Sequence, residues 1–460
     1  MPSAKNAIVI GGGISGLACA FRLQQQGIPV TLLESSDRAG GLAGTVSRGG
    51  FLFESGPQSF QGAESLLGLA GQLGIEKELL TADPRAPRYI LCRGHLQPIP
   101  MSPPKLLLSP FLGAGSRWKV IAESLRRAKP PTAEESVADF TRRKFGQEIL
   151  DYLVTPFVSG VYAGDPERLS LRAAFPALHE WERTYGSVLR GALKSRIPKG
   201  ATRKSPSLCS FLGGVATLPL AIGEKLGHNM RLNAQVVSVA RNGARSGGAY
   251  EITANIGGTR ETLRADAVVF ATPAYVAGQL MGGLSETLGK LLSGVVYAPV
   301  AVVAAAYRRQ QIGRPLDGFG VLIPRSEKLR TLGIVWNSSL FPERGPQGTF
   351  VLTSFIGGAT DPEVVSKTED QIAAIVQREA AQMLAISGPP LAAAVWRHSK
   401  ALPQYNIGHG QTIAAIREET RKLPGLFFAG NYLDGPSLPK CVEHGTCTAE
   451  DAAAYLKSAS

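Results

Sequence analysis

Apolar residues cluster tightly near the start of the chain. Residues 5–10 read as a short buried strand, and Gly11 to Gly16 read as a turn. Leu17 to Gln26 carry helical spacing closed by Gly27, and Pro29 to Glu34 read as a second strand. That order is a βαβ unit opening a doubly wound parallel sheet. Residues 64–80 look helical, with Leu66, Leu67, Leu69, Ala70, Leu73, Ile75 and Leu79 on the apolar side. Tyr89 to Pro98 predict a hairpin around Arg93-Gly94. Between Pro100 and Pro206 the period changes. Segments 117–128, 135–157 and 170–195 have helical spacing, and strand signals are weak. Strands resume at Leu208–Leu212, Val236–Val239, Tyr250–Ile256 and Ala267–Ala271. Val300–Tyr307, Gly320–Ile323, Thr331–Asn337 and Phe350–Ile356 predict a second, largely antiparallel sheet. A helix over 368–386, a buried strand at Leu426–Ala429 and a helix at Cys441–Leu456 complete the chain.

This pattern divides the chain into three parts. Segments 1–82, 206–275 and 396–460 form a discontinuous dinucleotide-binding domain of α/β class, doubly wound and Rossmann-type. Segments 83–90 and 276–395 form a mixed-sheet substrate domain. Residues 91–205 are a helical insertion. A chain of 460 residues is long enough for such an arrangement.

Charge adds one feature. The formal net charge is +13, and it is uneven. Between Arg85 and Lys204 there are 21 Lys/Arg against 10 Asp/Glu, a net of +11. A basic stretch serves nucleic acid, an anionic membrane surface or an acidic small molecule, or is simply a solvated helical face. The five cysteines include no C-x-x-C pair, which speaks against a disulfide framework and for a reducing compartment. The histidines are dispersed, so no metal is expected. The run Ala7–Ile10 is too short for a signal peptide. No apolar stretch is long enough for a transmembrane helix. A cytoplasmic protein, peripheral on the inner face of a membrane, is the expectation.

Gly11-x-Gly13-x-x-Gly16 lies between strand and helix. Gly11 permits the tight turn, Gly13 lets a pyrophosphate approach the backbone, and Gly16 allows close helix packing. The backbone around Gly12, Ile14 and Ser15 then offers N–H groups at the positive end of the helix dipole. Glu34, at the end of the second strand, is placed to bond a ribose, next to Ser35. A second glycine turn, Gly40-Gly41, follows with Arg38 as a nearby cation. A nicotinamide site has no need of that second turn.

The spacing Glu34, Arg38, Gly40, Gly41 resembles the amine oxidases, phytoene desaturases and protoporphyrinogen oxidases, which bind FAD. Leu42 stands where an arginine is frequent. Val268 to Pro273 and Leu426 to Asn431, followed by Gly435-Pro436-Ser437-Leu438, are similar to later cofactor-contacting pieces of these proteins. The resemblance implies further FAD contacts at Gly56, Pro57, Gln58, Ser59, Val236, Ala271, Trp396 and Gly430. Finer motifs are similar to the protoporphyrinogen oxidase family. They are Phe53 to Phe60, Ser159 to Pro166 with Leu169-Ser170, Leu402-Pro403-Gln404-Tyr405 with Gly408-His409, and Cys441 to Gly445.

The resemblance also implies a substrate site. Arg88 would pair with a propionate, because its planar fork meets a carboxylate bidentately. Leu322 and Val335 would flank one face of a pyrrole and Phe355 the other. Gly160 and Gly320 would leave room for the macrocycle. Periodicity alone reads Leu322, Val335 and Phe355 as plain core on strands, and Arg88 as a surface charge. The implied reaction is oxidation of protoporphyrinogen IX by FAD and molecular oxygen, with no dedicated protein base and no nucleic-acid partner. The family resemblance also brings a homodimer and a membrane-docking face, placed at Leu106–Leu108 and Pro110–Leu112 near Lys105, Arg117, Trp118 and Lys119. That segment reads equally as a lid over the substrate channel. Three rival functions remain open. A coproporphyrinogen III oxidase would need extra cations such as Arg325 or Arg330. An amine oxidase would need an aromatic pair near Tyr432. A non-enzymatic escort would have lost the flavin end.

Overall fold

The computed structural model describes residues 5–100, 103–109, 111–125, 131–194, 207–241 and 249–458. A five-stranded parallel sheet takes the order Met230–Arg231, Val30–Leu33, Ala7–Ile10, Ala267–Phe270, Leu426–Phe428. Alternation along the first strand sorts its side chains between two layers. Ala7 and Val9 pack with Leu17 and Leu23 of helix Ile14–Gln25 and with Val442, Ala449 and Ala453 of helix Leu438–Ser458. Ile8 and Ile10 pack on the opposite side with Ala274, Leu288, Leu292 and Ile413. Buried on both faces, these strands read as continuous apolar runs in the sequence, as parallel strands do.

A second sheet has seven strands in the order Ala392–Pro403, Tyr297–Arg308, Thr349–Gly357, Thr331–Val335, Gly320–Leu322, Arg88–Cys92, His95–Pro98. Only the contact between Gly320–Leu322 and Arg88–Cys92 is parallel. Helix Glu369–Leu384 covers one face through Ala380, Met383 and Leu384, which pack against Tyr307, Val321, Ile334 and Leu352. Residues 396–403, read with the dinucleotide segments, run in the outer strand of this sheet. Strand His95–Pro98, read with the insertion, pairs there too. The hairpin turn falls at Arg93-Gly94 as expected, with φ of 53° and 75°.

The insertion is helical, from Pro103–Leu107 to Val188–Lys194. It rests on the strand Arg88–Cys92 through Ile90 and Cys92, which pack with Phe111, Leu112, Val120 and Ile149. This corrects the expected outer face. Phe111 and Leu112 are buried, because Ile90 and Ile149 need an apolar cover there. Leu108 and Trp118 of the expected face do stay exposed, joined by Ile121 and Leu125. The last three recur on one face of helix Ala114–Leu125. Pro110 and the basic residues Arg126, Arg127, Lys129, Arg196, Lys199, Arg203 and Lys204 lie outside the described residues.

Candidate flavin and substrate site

The glycine turn is fixed from several sides. Gly11 has φ +107° and donates to the Leu33 carbonyl at 2.8 Å. Ala271 donates to the Ile10 carbonyl at 2.8 Å, and its own carbonyl oxygen would lie 2.8 Å from a Cβ placed on Gly11. A Cβ on Gly16 would strike the Gly11 carbonyl oxygen. So Gly11, Gly16 and Ala271 form one close-packed knot, the helix against the strand.

Glu34 is held ready. Its Oε2 accepts the Gly12 N–H at 2.6 Å, and Oε1 accepts the Ser36 N–H at 2.8 Å and the Ser36 hydroxyl at 2.7 Å. The Ser35 hydroxyl reaches Oε1 at 3.3 Å. The Ala234 N–H donates to the Glu34 carbonyl at 2.8 Å, which brings half-buried Val236 alongside. The second turn docks on the first, with the Gly40 N–H donating to the Gly12 carbonyl at 2.8 Å. Arg38 braces that turn by donating to the Gly41 carbonyl at 2.9 Å.

These residues fit a dinucleotide. No side chain caps helix Ile14–Gln25, so its first-turn N–H groups point at the turn without a side-chain partner. A Cβ on Gly13 would meet no protein atom within 4 Å, leaving open space in which a pyrophosphate would fit. Thr272, whose methyl lies by Gly11, has a buried hydroxyl without a hydrogen-bond partner.

The groove continues past strand Phe51–Glu54. A Cβ on Gly56 would collide with the Leu42 carbonyl oxygen, so the Gly56-Pro57 turn is stacked on the Leu42 loop. Gln58 is tied at both ends. Its Nε2 donates to the Gly56 carbonyl at 2.7 Å, and its Oε1 accepts from Asn337 Nδ2 at 2.7 Å. Ser59 follows, half-buried. His398 Nε2 sits 2.8 Å from the Ser55 carbonyl. Trp396, two residues before it, is half-buried and packs with the cluster holding Phe51 and Phe53. Gly430 follows the Ala429 N–H bond to the Phe270 carbonyl at 2.9 Å. Gly435, with φ +143°, leads through Pro436 into helix Leu438–Ser458. There the Ser437 carbonyl accepts the Cys441 N–H at 2.9 Å. A Cβ on Gly445 would collide with the Ser15 backbone, so the first and last helices cross in contact.

The residues expected to face the substrate converge. Register pairs Gly320 with Arg88 and with Val335, Leu322 with Gly333, and Gly333 with Phe355. Residues opposite one another in a sheet share a face. Arg88, Gly320, Leu322, Val335 and Phe355 therefore lie on one face, the one away from helix Glu369–Leu384. Gly160, on helix Thr155–Tyr162, closes against it, since a Cβ there would sit 2.6 Å from Leu322 Cδ2. Phe355 is half-buried in a cluster with Ala163, Val302 and Trp396. Arg88 is exposed, its guanidinium 5.4 Å from the Phe319 ring centre. Gly160→Val is expected to push Leu322 aside at a cost of about 1–3 kcal/mol. Steady-state assays should show KM for a macrocyclic substrate rising several-fold while the protein still folds. An unchanged KM would place Gly160 outside the pocket.

Three members were not apparent in the sequence. Asn337 holds Gln58. Fully buried Arg344 approaches fully buried Glu54 at 3.5 Å. Arg344 also donates to the Phe211 carbonyl at 3.1 Å and the Ser210 hydroxyl at 2.5 Å. Glu54 accepts from the Thr45 hydroxyl at 2.6 Å and the Val215 N–H at 3.1 Å. Burial pushes the Glu54 carboxyl up to about 7, against the pull of Thr45, Arg344 and Val215. A carboxylate directly after the apolar run Phe51–Phe53 was a usable signal. The Pro342-Glu343-Arg344-Gly345 turn offered none.

Two rival signs are weakened. Tyr432 is fully buried in the core with Ile8 and Phe270, not turned to a substrate face. Arg330 pairs with Asp361 at 2.7 Å, and Arg325 donates to the Gly357 carbonyl at 2.9 Å. No cluster of three metal-ligating side chains occurs among the described residues. Nor is any helix among them long and apolar enough to cross a membrane.

A glycine-rich dinucleotide cradle joined to an apolar sheet face defines a flavoprotein oxidoreductase. The family profile described as flavin containing amine oxidoreductase matches residues 14–453. The chain belongs to this family, in its protoporphyrinogen oxidase branch, and FAD is its cofactor. It is 34% identical to the chloroplastic protoporphyrinogen oxidase of Nicotiana tabacum, over 98% of this chain and 86% of that one. It is 29% identical to the coproporphyrinogen III oxidase of Bacillus subtilis (strain 168), over 99% of both chains. A crystal structure from Exiguobacterium sp. 255-15, provisionally identified as a protoporphyrinogen oxidase, superposes with a TM-score of 0.83. It is 24% identical, covers 99% of both chains, and supports the fold.

Proposed function

We propose that this enzyme oxidises protoporphyrinogen IX to protoporphyrin IX, with molecular oxygen as final acceptor. The observation that carries the reading is the single sheet face holding Arg88, Gly320, Leu322, Val335 and Phe355, closed by Gly160. When bound, the flavin supplies a two-electron acceptor that oxygen can regenerate with release of hydrogen peroxide. The protein holds it with the knot of Gly11, Gly16 and Ala271, with Glu34 at the ribose end and with the first turn of helix Ile14–Gln25 at the phosphates. The apolar wall then excludes water and presents a methylene bridge of the macrocycle, while Arg88 fixes one carboxylate. Apart from Arg88, the wall residues carry no titratable group. Positioning, not a protein base, is therefore their contribution. The exposed stripe Trp118, Ile121 and Leu125, with Arg117 and Lys119 beside it, supports docking on an anionic membrane surface.

Coproporphyrinogen III is the alternative substrate. The engagement of Arg325 and Arg330 by protein partners favours the substrate with fewer carboxylates. The test is an aerobic fluorescence assay of the yellow protein with both porphyrinogens in parallel. Protoporphyrinogen should be preferred. A preference for coproporphyrinogen would replace the substrate, and oxidation of neither would remove the reading.

A further inference from the structure

Arg88 faces a second space besides the sheet wall. A cleft of about 610 Å³ lies between the segment leading into strand Arg88–Cys92, the strand His95–Pro98 and the first turn of the insertion. That size suits a bound group rather than a single water. Its walls are proline-rich, with Pro84, Pro87, Pro98 and Pro100, and it is lined by three cations, Arg85, Arg88 and Lys105. Among the described residues, no Asp or Glu lines it.

The three cations are not equivalent. Arg85 pairs with its neighbour Asp83 at 3.2 Å, and its side chain is 90% exposed. The Arg88 guanidinium lies 5.4 Å from the centre of the Phe319 ring. Neither Arg88 nor Lys105 has a carboxylate partner among the described residues. Two unneutralised cations in one concave, stiff-walled space repel each other, and an anion bound there removes that cost. A single carboxylate satisfies the Arg88 fork and leaves the ammonium of Lys105 unmatched.

Building on the porphyrinogen reading above, we propose that Lys105 is a second carboxylate anchor. The cleft thus takes the two acidic side chains of a tetrapyrrole that carries them on neighbouring rings, while the macrocycle itself lies on the apolar sheet face. Arg88 holds one and Lys105 the other, so specificity rests on the spacing of the acids as well as on the apolar wall. Protoporphyrinogen IX, with its propionates on adjacent pyrroles, meets that requirement.

The test compares protoporphyrinogen IX with its dimethyl ester on four holoenzymes: unmodified, Arg88→Ala, Lys105→Met and Arg85→Gln. Lys105→Met should raise KM for the diacid about tenfold, the size of one charged hydrogen bond at a partly exposed site. It should leave KM for the ester unchanged. Arg88→Ala should do the same or more. Arg85→Gln, already neutralised by Asp83, should move neither KM. Tryptophan quenching by the product protoporphyrin IX should report a matching loss of affinity in Lys105→Met. An equal KM for the diacid in Lys105→Met and the unmodified enzyme overturns the second anchor while Arg88→Ala still reports the first. A parallel rise for diacid and ester would show a packing role instead, and also overturns it. If the unmodified enzyme oxidises neither compound, the underlying substrate reading falls, and the anchor with it.

Discussion

Arg344→Ala lowers the unfolding free energy by about 3–5 kcal/mol, and the purified variant retains little FAD. Arg344 is fully buried, so nothing outside the protein replaces its charge. Removing it leaves Glu54 inside the protein with only the Thr45 hydroxyl and the Val215 N–H. It also strips a donor from the Phe211 carbonyl and from the Ser210 hydroxyl. Flavin loss follows because Glu54 precedes the Ser55-to-Ser59 turn in the groove. That turn is joined to the segment before Arg344 by the Asn337–Gln58 bond. The pH dependence has a definite sign. The folded carboxyl lies near 7 against an ordinary 4.5. Its contribution to stability is therefore complete below about 4.5 and is lost as pH rises through 7. Denaturation midpoints of the unmodified protein should fall between pH 5 and 8, and Glu54→Gln should flatten that fall. A midpoint for Arg344→Ala within about 1 kcal/mol of the unmodified protein would show that the pair is not a structural tie.

How far the sequence reached depends on what each element had to signal. The first βαβ unit was legible because a strand buried on both faces must be apolar throughout, and because the phosphate turn needs glycine at fixed places. Strand Ala392–Pro403 was not. It opens on three alanines, which carry no strand preference, and its Arg397, His398 and Lys400 lie on a half-exposed edge. Thr259–Ala265 escaped for a related reason, as a polar outer strand of a three-stranded sheet. The wall residues Leu322, Val335 and Phe355 could be named only through resemblance. As residues they are ordinary strand apolars, and what joins them is the pairing register of three successive strands, which no local pattern prints. Phe111 and Leu112 show the opposite failure. An apolar run beside basic residues looked like a membrane face, yet Ile90 claims it as core. Local pattern separates apolar from polar positions, but tertiary partners decide which apolar residues stay outside.

Gly13→Val is expected to yield a folded, colourless protein, with FAD affinity reduced at least about 100-fold, or about 2.7 kcal/mol. The argument turns on what a side chain would meet. Gly13 has φ −69° and ψ 175°, an extended conformation that valine adopts readily. A Cβ there finds no protein atom within 4 Å. The protein alone thus has no reason to resist the substitution, and the denaturation midpoint of the flavin-free form should stay within about 0.5 kcal/mol of the unmodified one. A pyrophosphate bound as proposed, in front of the uncapped helix Ile14–Gln25, would have every reason. Gly16→Ala supplies the contrast. Its Cβ would strike the Gly11 carbonyl oxygen, so the turn itself must deform. That variant should lose stability and flavin together. Flavin content by absorbance, set beside unfolding of the stripped proteins, separates the two cases. A Gly13→Val protein that purifies yellow with unchanged affinity would move the phosphates away from this turn. The placement of the cofactor in the groove would have to be redrawn from Gly40-Gly41 outward.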